Sequence, residues 1–269
     1  MRRFVGEESE ITGVILREAF RVHNDIGPGQ SEETYHVALD EALRRAGCRT
    51  QFKPMGILEH RGREADRFQP DLIVDEAVIS ELKALPSPFS PAHLTQNLVY
   101  LKFWRKRVGL LLNFGLERLK YRRVVWKPLP TDVEEDYDEI KPLREGELRN
   151  AMTAVRAGIR SVHQQHGLGY TTTTYQSLLR IEFDARGLLI EGKPTVTLRY
   201  ADRLLPTEPL DCFVINKQIV LLVRALQESF HDSDIAVTRA YIKHLDCQTG
   251  LLVNFGTKAL QIRAFSLRK

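Results

Sequence analysis

Apolar positions between Ile11 and Val22 recur at the spacing of one helix face, and a second amphipathic run extends from Ser31 to Arg45. Ser31 stands where its hydroxyl would cap that second helix, with Glu32 and Glu33 in the first turn, where carboxylates favour the helix dipole. Three short strand-like stretches follow, around Ile57–Glu59, around Phe68–Val74 and over Ala77–Leu85, the last two parted by the turn-like Asp75-Glu76. The breaker from Pro86 to Pro91 precedes a helix predicted from about Ala92 to Lys106, then Val108–Phe114, an apolar run short enough to be a buried strand. The predicted order is α-α-β-β-β-α-β, for which an α/β domain with helices on the faces of a small sheet is the simplest architecture.

The same pattern is then repeated. Val22-His23 returns as Val162-His163, Tyr35 as Tyr175, Lys53-Pro54 as Lys193-Pro194 and Asp71 as Asp211, all at an offset of 140. After one inserted residue the offset is 141, which pairs Ala84-Leu85 with Ala225-Leu226, Tyr100 with Tyr241, and the run Gly109–Gly115 with Gly250–Gly256. A period this long is too large for a solenoid unit, so each copy is expected to be a domain with its own core, at residues 1–126 and 148–269. Between them, residues 127–147 are rich in acids and hold three prolines, a composition that reads as a solvated linker.

Composition narrows the class. Of 269 residues, 43% are hydrophobic and 28% charged, the balance of an ordinary globular chain rather than a collagenous, disordered or membrane-embedded one. No apolar run reaches the roughly 18 residues that a membrane span needs. Cys48, Cys212 and Cys247 lie far apart with no Cys-x-x-Cys spacing, so neither a disulfide scaffold nor a zinc ribbon is legible. Arg2 and Arg3 are followed at once by Glu7, Glu8 and Glu10, which interrupt any secretory signal. A cytoplasmic protein is the expectation. A net charge of +4 tolerates a polyanionic partner without demanding one.

Candidate chemistry gathers in the first copy. Asp71 follows Pro70, and nine residues later comes Glu81-Leu82-Lys83. On a strand Glu81 and Lys83 share one face while Leu82 takes the other, so a neighbouring strand carrying Asp71 would bring two carboxylates and an ammonium together. Paired carboxylates suit a hard cation such as Mg²⁺, and a nearby lysine can orient a water or stabilise charge on a phosphoryl oxygen. Glu32 lies in Gly29-x-x-Glu32-x-x-Tyr35, and Gln96 and Tyr100 form an i, i+4 pair with His93 one turn earlier. Each has an ordinary structural explanation when taken singly: a dipole-favouring acid, a solvated strand face, a half-buried aromatic.

As a set, Gly29-x-x-Glu32-x-x-Tyr35, Pro70-Asp71, Glu81-x-Lys83, His93-x-x-Gln96-x-x-x-Tyr100-Leu101-Lys102 and Gly109-Leu-Leu-Leu-Asn-Phe resemble the GxxExxY protein family of the PD-(D/E)XK nuclease superfamily. The resemblance covers nearly the whole first copy. It implies two tandem restriction-endonuclease-like domains, each a small mixed central sheet flanked by helices. It further implies that Asp71 and Glu81 are metal ligands for Mg²⁺ or Mn²⁺, with Glu32 as an additional acidic ligand. Lys83 would be the catalytic lysine, and Gln96 and Tyr100 would support the site or the nucleic acid.

The second copy serves as an internal control. Gly169, Tyr175, Asp211 and Tyr241 persist, but Glu32 is replaced by Thr172, Glu81 by Leu222, Lys83 by Arg224 and Gln96 by Val237. One aspartate beside a leucine has too little charge to hold a divalent ion, and arginine lacks the proton exchange of lysine. The second copy is therefore read as a pseudo-nuclease domain, structural or substrate-binding. From Pro86 to Lys127 nine basic residues face the single acid Glu117, beside Phe103, Trp104, Tyr121 and Trp126, a footprint for phosphate contacts with base stacking. The expected function is a metal-dependent phosphodiester hydrolase acting on nucleic acid, DNA ahead of RNA. Pairing of the two copies within the chain, or of two chains, stays open. A nucleic-acid-binding protein without turnover and a protein-interaction scaffold are the alternatives.

Overall fold

Ser31 begins the local account, because its hydroxyl accepts a hydrogen bond from Thr34 N and so starts α2 (Glu32–Arg45) at the position the sequence predicts. The computed structural model describes residues 3–140 and 146–266. The chain divides into one unit of Met1–Leu58 with Asp66–Pro128, and another of Glu59–Ala65 with Leu129–Lys269.

The first unit carries α1 (Arg3–Ile26), α2, β1 (Thr50–Phe52), β4 (Leu72–Val74), β5 (Val78–Lys83), α3 (Pro91–Phe103), β6 (Val108–Asn113) and β7 (Lys120–Val125). Its five-stranded sheet runs β1-β4-β5-β6-β7, with β5 and β6 parallel across the α3 crossover and the other pairs antiparallel. The β2 (Gly56–His60) and β3 (Arg63–Phe68) strands form a separate two-stranded ribbon. Central β6 is buried at every position, as its unbroken apolar run requires of a strand covered on both faces. Ile15, Leu39, Leu43, Leu82, Leu110 and Leu112 join α1, α2 and the sheet in one core.

In the second unit, β8 (Val133–Asp136) and a 3₁₀ turn (Asp138–Ile140) precede α4 (Glu147–His166), α5 (Thr172–Ala185) and β9 (Ile190–Gly192). A small ribbon of β10 (Arg199–Tyr200) and β11 (Arg203–Leu204) leads to β12 (Phe213–Ile215), β13 (Ile219–Ala225), α6 (Asp232–His244), β14 (Thr249–Phe255) and β15 (Leu260–Ser266). The sheet order β9-β12-β13-β14-β15 reproduces that of the first unit, and β8 extends it by pairing in parallel with β15.

The repeated residues explain the repeated fold. Tyr35 stacks on Phe114 with ring centroids 4.7 Å apart and donates its hydroxyl to Gly27 O at 2.7 Å. Tyr175 stacks on Phe255 at 3.8 Å and donates to Gly167 O at 2.6 Å. Asp75 and Glu76, both at positive φ, make the two-residue turn between β4 and β5, and Asn216 and Lys217 make its counterpart between β12 and β13. Gly115 is fixed by crowding, since a Cβ there would lie 2.5 Å from the backbone of Ala84 and Leu85.

Several elements differ from the predicted pattern, among them β1 and all of β3 but Phe68, which lie outside the three predicted strand stretches. The α1 helix extends well beyond Ile11–Val22. The β7 strand was not expected, because five of its six positions are exposed and its charged side chains hide an edge strand from periodicity. Part of the expected linker is ordered: Val133–Asp136 adds a strand to the second sheet, and Glu135 pairs with Arg156 and Arg160 of α4.

Candidate metal centre

The register of two antiparallel strands makes the site. Leu72 of β4 pairs with Ser80 of β5, which sets Asp71 opposite Glu81. The Leu82 amide donates to Asp71 Oδ2 at 2.7 Å, tethering the aspartate to the strand that carries Glu81 and Lys83. Those two side chains share a face, and Lys83 Nζ donates to Glu81 Oε1 at 3.0 Å and to Leu82 O at 2.9 Å. The first turn of α2 closes the group, with Glu32 Oε1 at 3.6 Å from Lys83 Nζ.

His36, one helical turn beyond Glu32, belongs to this group although the sequence reading passed over it. Its Nε2 lies 3.2 Å from Asp71 Oδ2 and 3.9 Å from Glu32 Oε1. Glu32, His36 and Asp71 each offer a ligand atom, all within 4.8 Å of one another. The signal for His36 was its i, i+4 spacing from Glu32 and its replacement by Gln176 in the second copy. Glu81 stands beside this trio rather than in it, with Lys83 bonded to one of its carboxylate oxygens.

Burial strains these charges. Desolvation, then repulsion from Asp71, push the Glu81 carboxyl up to about 7, against the opposing pull of Lys83. Glu81 Oε2 is buried without a hydrogen-bond partner. Burial works against a charged His36, but the hydrogen bond and attraction of Asp71 outweigh it and raise the pKa. Lys83 is likewise penalised by burial, which attraction to Glu81, Asp71 and Glu32 reverses, so it stays an ammonium. An unpartnered buried carboxylate oxygen beside a histidine and two further acids is a donor set that a hard divalent cation fits.

The helix residues sort differently. Gln96 Nε2 donates to the Tyr100 hydroxyl at 2.9 Å. Burial first, then the charge of Glu81, raise the Tyr100 pKa, which brings this ring within the field of the carboxylates. His93 Nδ1 accepts from the Ser90 amide as part of the α3 capping box, a structural role. Of the basic stretch, Lys120, Arg122 and Arg123 are exposed on edge strand β7 beside half-exposed Tyr121. Phe103 and Trp104 are half-buried and pack edge-to-face with Phe68 and Tyr100.

In the second unit the site is dismantled more thoroughly than the aligned residues imply. Phe213 holds the register position of Leu72, and the Lys193 amide bonds to Cys212 O as the Lys53 amide bonds to Asp71 O. Cys212 therefore stands at the place of Asp71, the inserted residue lies between Lys193 and Cys212, and Asp211 slides outward. Its side chain is 55% exposed where that of Asp71 is 11% exposed. Gln176 donates to Asp211 Oδ1 at 2.9 Å, Arg224 bonds Asp234 at 2.8 Å, and Leu222 is fully buried.

A mixed sheet with a parallel β-α-β crossover and helices on its faces, here in two tandem copies of which the first carries an Asp…Glu-x-Lys cluster, defines the restriction-endonuclease-like class. The chain belongs to the PD-(D/E)XK nuclease superfamily, whose family model matches residues 9–124 and again 149–265. None of the curated proteins matches. The crystal structure of SSO0001 is 17% identical over 46% of this chain and 61% of its own, and its TM-score of 0.29 is too low to carry weight. Among the described residues, no helix is long and apolar enough to cross a membrane.

Proposed function

We propose that the first unit is a divalent-metal-dependent nuclease of the GxxExxY kind, acting in the cytoplasm on nucleic acid, DNA ahead of RNA. The observation that carries this reading is the convergence of Glu32, His36, Asp71, Glu81 and Lys83, with one oxygen of Glu81 buried and unpartnered. Glu32, His36 and Asp71 would hold the cation, with the free oxygen of Glu81 turned to the same work. Bound there, Mg²⁺ or Mn²⁺ would lower the pKa of a water and neutralise charge on the scissile phosphate.

The chain's own groups then have separable tasks. Lys83, kept charged by three carboxylates, stabilises negative charge building on phosphate oxygens and orients the attacking water. Glu81 fixes the lysine through the 3.0 Å hydrogen bond and is poised to take a proton near neutral pH. The Gln96–Tyr100 pair borders the carboxylates and positions substrate. Exposed Lys120, Arg122 and Arg123 supply phosphate contacts along the open edge of the sheet.

The test is cleavage of plasmid, linear duplex, single-stranded DNA, branched DNA and RNA in Mn²⁺ by wild type, Lys83→Ala and Glu81→Ala. Cleavage by wild type alone is the expected result and names the substrate class. Equal cleavage by all three proteins would overturn the assignment.

A further inference from the structure

We propose that the cleft of the second unit, at the place where the first unit holds its acidic site, binds a phosphate group. The proposal stands on the second unit's own residues and does not depend on cleavage by the first.

The two clefts share a backbone frame. The α2 and α5 helices span Glu32–Arg45 and Thr172–Ala185, offset by 140 at both ends, and Lys53 and Lys193 make the equivalent amide bond to the following strand. On that frame the first unit sets five acids, Glu32, Glu33, Asp40, Asp71 and Glu81, against Lys53 and Lys83. The second sets Arg180, Lys193 and Arg224 against Asp211 and Asp234, with Thr172 and Thr173 where Glu32 and Glu33 stood; Arg224 is paired with both acids, which leaves Arg180 and Lys193 as the bases that line the cavity. Loss of acids alone would leave a neutral pocket. Here two bases, Arg180 and Lys193, line the cavity with one acid, Asp211, and Asp40, which bonds Thr50 and pairs with Arg44 in the first unit, has become Arg180.

The geometry fits an anion. A cavity of about 290 Å³ is lined by Thr173, Gln176, Arg180, Lys193 and Asp211. The Arg180 guanidinium lies 5.3 Å from the Phe213 ring centroid and over Gly192, where a Cβ would come within 1.9 Å of Nη2. The first unit has Phe52 at that position, so glycine makes the space that arginine fills. Lys53 is ion-paired with Glu33, whereas Lys193 has Thr173 in place of that acid. The one acid lining the cavity is already satisfied, with Gln176 2.9 Å from one oxygen of Asp211 and Arg224 3.4 Å from the other. A planar guanidinium, an ammonium and a hydroxyl around a small cleft are the donors that recognise phosphate oxygens.

The experiment uses the full chain in EDTA, so that metal-dependent cleavage plays no part. Inorganic phosphate is titrated by ³¹P line broadening, and a fluorescent single-stranded oligonucleotide by anisotropy at several salt concentrations. Binding weakened at least tenfold in Arg180→Ala/Lys193→Ala is expected, with a salt slope smaller by about 1.4 for the oligonucleotide, from two lost contacts at roughly 0.7 each. Both residues are exposed, so the fold should tolerate the change. Thr173→Glu, which restores the acid beside the lysine, should weaken binding by itself. Loss confined to the oligonucleotide identifies a nucleic-acid backbone as the source of the phosphate, and loss of both probes a free phosphate. Wild-type affinity for both probes in the double variant, or no binding by wild type, overturns the proposal. Cleavage in Mn²⁺ is scored separately, so an inactive first unit would leave this result standing.

Discussion

The two units keep the same tyrosine-on-phenylalanine stack, the same two-residue turn and the same sheet order, and differ where charge would have to be buried. Glu81 in the first unit is 2% exposed and carries an unpartnered oxygen, while Leu222 at its register position is fully buried among apolar neighbours. The difference separates two kinds of persistence. Residues that close the backbone, such as Tyr35 and Gly115, recur because every copy of the fold needs them. Residues that crowd charge together persist only where a ligand compensates them, and the second unit has exchanged them for leucine, glutamine and arginine.

The largest effect that would break this comparison is at the lysine. Lys83→Arg makes the first unit resemble the second at that position while keeping a positive charge. Cleavage should fall by about 10²–10⁴-fold, because a guanidinium neither fits the compact site of the ammonium nor exchanges a proton. Retention of activity within threefold, measured on the substrate class named by the panel, would show that charge alone suffices and that Arg224 is no mark of a lost site.

Much of this was legible in the residues themselves. Asp71, Glu81 and Lys83 were brought together by strand alternation and spacing, Glu32 was added by the family resemblance, and the structure places all four side chains around Lys83 or Asp71. His36 was not found, because a histidine on an amphipathic helix looks ordinary until the sheet brings Asp71 to its ring. The Asp71–Asp211 match misled for a different reason. Identity of residue type hid a one-residue insertion that only strand pairing reveals, with Cys212 in the place of the ligand. The β7 and β8 strands were masked by their charges, since edge strands carry polar residues that erase the alternating pattern.

Stability sharpens the same contrast. Leu222→Glu should destabilise the second unit by about 3 kcal/mol, because a carboxylate would be buried without the acidic and cationic partners of the first site. Glu81→Leu should leave the metal-free first unit unchanged or stabilise it by up to about 2 kcal/mol while abolishing cleavage. Calorimetry of the full chain, following the two unfolding transitions, reads both. A Glu81→Leu protein destabilised by more than about 1 kcal/mol would mean that the carboxylate holds the fold as well as the site.

The next effect is one of pH. Glu81 titrates at about 7 and His36 above its ordinary value, so both bind protons that a cation must displace. Mn²⁺ affinity should therefore rise through neutral pH, by up to about tenfold per unit for each proton released. Without metal the opposite trend is expected from Glu81: its folded state would hold a proton that the unfolded chain has already lost, so stability should decline between about pH 4.5 and 7. Glu81→Gln should flatten both curves, and an unaltered pH dependence of Mn²⁺ affinity in that variant would exclude Glu81 from the metal's surroundings.

The smallest effect tests what the units hold in common. Tyr35→Phe removes a hydrogen bond to Gly27 O, and Tyr175→Phe its counterpart to Gly167 O, while both rings keep their stack on phenylalanine. Each should cost about 1–2 kcal/mol, since one carbonyl loses its donor, the amide of Gln30 or Tyr170 loses its acceptor, and no packing changes. The two losses should agree within about 0.5 kcal/mol, and cleavage by Tyr35→Phe should stay at the wild-type rate under conditions where both proteins are folded. A rate loss in Tyr35→Phe without matching destabilisation would move this tyrosine from the frame into the site, and would make its recurrence at Tyr175 a trace of lost chemistry rather than a requirement of the fold.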